Sequence, residues 1–148
     1  MSMLLLAGCA SGGGIHTGGQ IPVSWSLGQA DAADKPTSSV CQSTQSQPCI
    51  LEHGSLEKPK FASFMLHVWG PSPTKFTGWL VASYINDPDP RQYRGEVNVT
   101  SNGKEIHYSF FSKVTSIPGQ YSVNVHLEEN REASAPKLHD FTVPVVVP

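Results

Sequence analysis

Asn102-Gly103 sits between two runs of alternating apolar and polar residues, and this arrangement limits the fold more than any other feature. Both positions tolerate positive φ, so Asn-Gly between such runs is the strongest short-range hairpin signal a sequence carries. A two-residue loop would fix the register. Val99 would then face Ile106 and Val97 would face Tyr108, while Thr100 pairs with Glu105 and Asn98 with His107. Apolar meets apolar and polar meets polar, as a half-buried antiparallel pair requires.

The same alternation recurs along the chain. Phe64, Leu66 and Val68 alternate with Ser63, Met65 and His67. Residues 76–85 (FTGWLVASYI) form a nearly continuous apolar run that stops at Asn86-Asp87-Pro88-Asp89-Pro90. Its length alone would allow a strand or a short helix. Trp79, Val81 and Ile85 favour strand, and the prolines force a turn. After Pro118-Gly119, the residues Tyr121, Val123, Val125 and Leu127 alternate with Ser122, Asn124 and His126. Phe141, Val143, Val145 and Val147 alternate with Thr142 and Pro144, and the proline marks an edge strand or an unpaired outward position. A further alternation, Ile21, Val23, Trp25 and Leu27, is a candidate edge strand over 21–27, because Pro22 has no N–H to donate. Turns at this spacing predict an all-β, antiparallel β-sandwich over 41–148. Gly and Pro, 13 and 12 in number, punctuate the chain as short strands need.

Leu6-Ala7-Gly8-Cys9, preceded by Leu4-Leu5, resembles a bacterial lipobox. The resemblance implies that the thiol of Cys9 takes a diacylglycerol and that cleavage makes it the first mature residue. Residues 1–8 carry no Lys or Arg and are shorter than a working signal, so they read as a truncated signal-peptide remnant whose true start lies upstream. Residues 9–40, rich in Gly, Ser, Ala, Gln and Thr, read as a lipidated flexible linker, with the candidate strand inside it. About 30 flexible residues reach roughly 30 Å, enough to hold a domain clear of the lipid surface. Two acyl chains, at about 0.8 kcal/mol per buried methylene, suffice for stable anchoring. Ala10 stands where an Asp would favour inner-membrane retention, so the implied address is the bacterial outer membrane, facing the periplasm or the cell surface.

The resemblance also resolves the odd cysteine count. With Cys9 lipidated, Cys41 and Cys49 remain as one pair in a disulfide-permissive compartment. Their Cys-x7-Cys spacing is not that of a Cys-x-x-Cys redox pair. A second resemblance lies in Pro118-Gly119-Gln120-Tyr121-Ser122-Val123, which is similar to the Pro-Gly-x-Tyr-x-Val ending of immunoglobulin-like and transthyretin-like bacterial modules. In those modules the tyrosine packs at a sandwich corner. The antibody pattern of two cysteines around a tryptophan is absent, since Cys41 and Cys49 precede the main strands.

Candidate chemistry is sparse. A net charge of −2 and a charged fraction of 15% give no basic patch, so nucleic-acid binding has no electrostatic support. No serine sits in Gly-x-Ser-x-Gly, and Gly12-Gly13-Gly14 does not lead into a helix as a phosphate loop does. Asp87 and Asp89 read as turn residues. Asn98-Val99-Thr100 matches a glycosylation sequon by chance, inside a strand. His67, His107 and His126 fall on the polar sides of their strands. His107 and His126 could meet, and bind Zn or Cu, if residues 105–112 pair with 120–128; solvated surface histidines are the simpler reading. No metal and no cofactor is therefore assigned. Trp69 and Trp79 could flank one surface patch for a protein or glycan.

These readings predict a non-enzymatic, membrane-anchored module of the cell envelope, binding or structural, whose partners are membrane lipid through Cys9 and an envelope protein or glycan. Two alternatives stay open: an assembly factor of an envelope secretion machine, and an inhibitor of an envelope hydrolase. The inhibitor would use the Asn86–Arg91 turn or the Glu128–Pro136 loop.

Overall fold

The computed structural model describes residues 22–32, 35–43, 48–84 and 93–148. Every regular element among them is a strand: β1 (Val23–Ala32), β2 (Lys35–Gln42), β3 (Cys49–Ile50), β4 (Phe61–Val68), β5 (Thr74–Tyr84), β6 (Tyr93–Ser101), β7 (Ile106–Lys113), β8 (Gly119–Arg131) and β9 (Lys137–Val147). They form a five-stranded sheet in the order β3-β9-β8-β5-β6 and a four-stranded sheet in the order β2-β1-β4-β7. All neighbours are antiparallel except β3, which runs parallel to β9 through Val145 opposite Cys49 and Val146 opposite Ile50.

One core lies between the two sheets. Leu27 of β1 and Phe64, Leu66 and Val68 of β4 come from the four-stranded sheet. Phe76 and Leu80 of β5, Val123, Val125 and Leu127 of β8, and Val143, Val145 and Val147 of β9 come from the other. The period-2 alternation read along each strand is what puts these side chains on one face. Each fully buried Val, Leu or Phe contributes about 1.5–3 kcal/mol of apolar transfer.

Asn102-Gly103 does turn the chain, with Gly103 at φ 75°, but it does not make a hairpin. Among the described residues β6 pairs with β5 alone and β7 with β4 alone, so the connection is an arch that crosses from one sheet to the other. Val97, Val99, Ile106 and Tyr108 all join the core, yet from opposite layers instead of side by side. The reason lies beside the turn. Ser101 is fully buried, and its hydroxyl accepts from the Gly70 N–H at 2.9 Å and donates to the Lys104 carbonyl at 2.5 Å. Gly103 N–H donates to the Gly70 carbonyl at 2.7 Å. These bonds tie the arch to the β4–β5 connection, and the backbone groups that a hairpin would pair are used across the sheets instead.

The ordered sheet also begins well before residue 41. Val23–Ala32 and Lys35–Gln42, expected to fall mostly within a flexible linker, form β1 and β2. The strand expected over 21–27 runs over Val23–Ala32, and it is interior, paired to β2 on one side and to β4 on the other. Pro22 precedes its first residue and so removes no ladder bond. Trp25 turns inward against Phe64, ring centroids 5.8 Å apart, which burial in a linker could not provide. On β9, where Pro144 suggested an edge, the side away from β8 carries, among the described residues, only the two-residue β3.

Both flanks of the two layers are closed. On one flank the arch joins the edge strands β6 and β7. On the other, the disulfide Cys41–Cys49 joins β2, at the edge of the four-stranded sheet, to β3, at the edge of the five-stranded one, with Cα atoms 5.8 Å apart. Tyr121 lies near the start of β8, buried, and its hydroxyl donates to the Ile117 carbonyl four residues back.

Candidate functional site

The polar outer faces of the two sheets carry different side-chain clusters. On the four-stranded sheet, His67 of β4 stands directly opposite His107 of β7. Their rings lie edge to face with centroids 4.5 Å apart. Glu105 precedes His107 by two positions, so its side chain falls on the same face. Its carboxylate reaches both rings, with Oε2 3.4 Å from His67 Nδ1 and Oε1 3.2 Å from His107 Nε2. Ser26, from β1, places its hydroxyl 3.5 Å from His67 Nε2. Three strands thus converge on one imidazole–carboxylate group.

This differs from the His107–His126 pairing that the sequence left open beside the simpler reading of solvated histidines. His107 and His126 lie on different sheets, because β7 and β8 are not neighbours, so they do not form a site. The partner of His107 is His67, which sequence separation concealed. Glu105-Ile106-His107 was the available signal: Glu-x-His at strand spacing puts both side chains on one face.

On the five-stranded sheet, Trp79 of β5 points outward between Glu96 of β6 and His126 of β8, its register partners. Its ring stacks on His126 at 5.3 Å with the planes 23° apart, and the Arg94 guanidinium carbon lies 5.5 Å from its centroid. Asp140 of β9 holds His126 through Nδ1, and Arg94 pairs with Glu96 at 2.6 Å. Below this group, Thr142 donates to Asn124 Oδ1 at 2.9 Å, and Asn124 donates to Ser83 at 3.2 Å. The result is a half-buried aromatic plate inside a ring of donors and acceptors. Trp69 does not join it. That residue follows β4 in the other sheet, where its N–H donates to the Pro22 carbonyl at 2.9 Å.

The segment Glu128–Pro136, expected to be a loop, starts as strand, and only residues 132–136 lie outside β8 and β9. β8 runs to Arg131, and Glu129 is buried, bonded by His139 Nε2 at 2.8 Å and Arg131 Nε at 2.8 Å. Such a carboxylate clasps β8 to β9 and is not offered to solvent. The Asn86–Arg91 turn, with Asp87 and Asp89, and the Leu6–Cys9 motif lie outside the described residues. A cavity of about 40 Å³ between the sheets, lined in part by Leu27, Phe64, Phe110 and Tyr121, falls far below the roughly 300 Å³ of a ligand pocket. Among the described residues no helix is long and apolar enough to cross a membrane. No known protein-family model matches this chain, and no curated protein is significantly similar to it.

Proposed function

We propose that this chain is a non-enzymatic binding module of the bacterial cell envelope, built on an immunoglobulin-like sandwich and anchored in the outer membrane through Cys9. The strand order supports the fold assignment. β1-β4-β7 corresponds to an A-B-E sheet and β9-β8-β5-β6 to a G-F-C-C′ sheet, with β3 added parallel to the last strand. Tyr121 then occupies the tyrosine corner near the start of strand F, its hydroxyl bonded back to the Ile117 carbonyl. Both features favour the immunoglobulin-like over the transthyretin-like arrangement. The chain departs from the antibody pattern in its disulfide, which links β2 and β3.

The observation that carries the binding role is the Trp79 plate. A tryptophan held flat by His126 and Arg94, on a sheet face rimmed by Asn124, Asp140 and Thr142, supplies a rigid contact area with fixed polar neighbours. Central aromatics with a polar rim are the usual anchors of protein and glycan partners. The anchor rests on the Leu6-Ala7-Gly8-Cys9 resemblance.

Two measurements test the two parts separately. The intact mass from native membranes should show cleavage before Cys9 and an added diacylglycerol. A chain still beginning at Met1 and unmodified would remove the anchor. A photo-crosslinker at Thr142, on the polar rim of the Trp79 face, should trap an envelope component in whole cells, and Trp79→Ala should abolish the adduct. One stoichiometric protein adduct would identify an assembly factor. Crosslinking that is absent, or unchanged by Trp79→Ala, would remove the binding face.

A further inference from the structure

The outer face of the four-stranded sheet holds a second arrangement that the Trp79 face does not involve. His67, Glu105 and His107 each present one ligand atom, and the three atoms lie within 4.8 Å of one another. We infer that these residues form a binding site for one divalent transition-metal ion, with Zn²⁺ as the fitting example, at the edge of the four-stranded sheet.

The chemistry of the donors points to this class. Two imidazoles and one carboxylate suit Zn²⁺ and neighbouring late first-row ions, and discriminate against Mg²⁺ and Ca²⁺, which take oxygen ligands. Bonds of about 2.0–2.1 Å in tetrahedral geometry put ligand atoms about 3.4 Å apart. Glu105 reaches each ring at about that spacing, Oε2 at 3.4 Å from His67 and Oε1 at 3.2 Å from His107, and one ligand atom from each of the three residues falls within 4.8 Å of the others.

The backbone pre-organises the set. Register pairing fixes His67 opposite His107, and the two-residue offset fixes Glu105 beside it. Ser26 lies within 3.5 Å of His67 Nε2. A hydrogen bond there leaves Nδ1 as the ligand atom, which is the atom that faces Glu105. The His67 and Glu105 side chains are 15% and 19% exposed, whereas His107 is 49% exposed. Two ligands are therefore seated in the face and the third forms an entrance. Three protein ligands leave a fourth position for water or for a group from a partner. The ion would also clip β4 to β7 and to the arch that precedes β7.

Calorimetry on the oxidised, folded protein near neutral pH should show one Zn²⁺ per chain and no heat with Mg²⁺ or Ca²⁺. Co²⁺ should give the visible d–d absorption of a tetrahedral site. Glu105→Gln and His107→Ala, checked for unchanged circular dichroism, should each weaken Zn²⁺ at least about tenfold. His126→Ala, in the opposite sheet, should leave affinity unchanged and shows that the loss is local. Absence of Zn²⁺ binding to the wild-type protein overturns the inference. Binding that survives both Glu105→Gln and His107→Ala overturns it equally, because the ion then sits elsewhere. Neither result bears on the Trp79 face or the Cys9 anchor.

Discussion

Removing the Cys41–Cys49 crosslink should lower the stability of the domain by an amount set by chain statistics. The bridged residues are separated by 8 positions, and the loop-entropy relation gives about 2.5 kcal/mol for a loop of that length. A domain of this size loses about 3 °C per kcal/mol, so the midpoint should fall by about 7 °C. Cys41→Ala/Cys49→Ala removes the bond and both buried sulfurs, whereas mild reduction of the wild type removes the bond alone. Calorimetry on both separates the crosslink from packing, since Cys41 and Cys49 are themselves core residues. Beyond the entropy, the bond holds β3, which meets β9 through only two register pairs and the Leu51 N–H to Val146 carbonyl bond. Amide exchange at Ile50 and Leu51 should therefore accelerate more than exchange at Val125 in the centre of β8. A midpoint shift under about 2 °C for the reduced wild type would refute the reasoning. It would mean that the unfolded chain was already confined without the bond.

Four further outcomes follow from the geometry. Gly78→Ala should cost about 3 kcal/mol or more in urea unfolding, because φ is 151° and an added Cβ would lie 1.9 Å from the His126 carbonyl of the neighbouring strand. Ser101→Ala should cost about 1–3 kcal/mol and speed exchange of the Gly70 amide, which loses its buried acceptor. Tyr121→Phe should cost about 1 kcal/mol in the same assay, since the bond to the Ile117 carbonyl is lost. Burial, with Glu96 as the smaller cause, raises the pKa of Tyr108 above its ordinary value. The unfolded chain then ionises first, so the contribution of Tyr108 is intact below about pH 10 and is lost as pH climbs through the folded value. Thermal scans across that range should show a shallower alkaline decline for Tyr108→Phe.

Alternation made the strands legible. Phe64-Met65-Leu66-His67-Val68 and Tyr121-Ser122-Val123-Asn124-Val125 each declare an inner and an outer face, and the structure keeps both assignments. Alternation does not say which sheet a strand joins. Val97 and Ile106 are equally apolar whether they sit side by side or across a core, so the Asn102-Gly103 signal fitted a hairpin as well as an arch. What separates the two is Ser101, whose buried hydroxyl serves Gly70 and Lys104, and that role depends on a contact 31 residues away. β2 was illegible for a different reason. Its sequence KPTSSVCQ has no apolar period, and it is ordered by pairing with β1 and by the disulfide. The His67–Glu105–His107 group was hidden for the same reason as the arch, since only the β4–β7 pairing brings residue 67 to residue 107. Trp79 was readable as outward, but its stacking on His126 needed the β5–β8 register.

The arch has a kinetic corollary. A hairpin at Asn102-Gly103 would have been a cheap early contact for the unfolded chain, closing within microseconds. An arch gives no such local ladder. The pairings β1–β2, β5–β6 and β8–β9 are local, but those that complete both sheets join distant residues, Leu27 with Phe64, Leu66 with Tyr108 and Leu80 with Val125. Loop-closure entropy must be met before those contacts return anything, so topology places this domain among the slow, millisecond-to-second folders. During that interval the apolar faces of β4 and β8 are exposed together. The strongest turn signal in the sequence thus shapes the final geometry without hastening its formation.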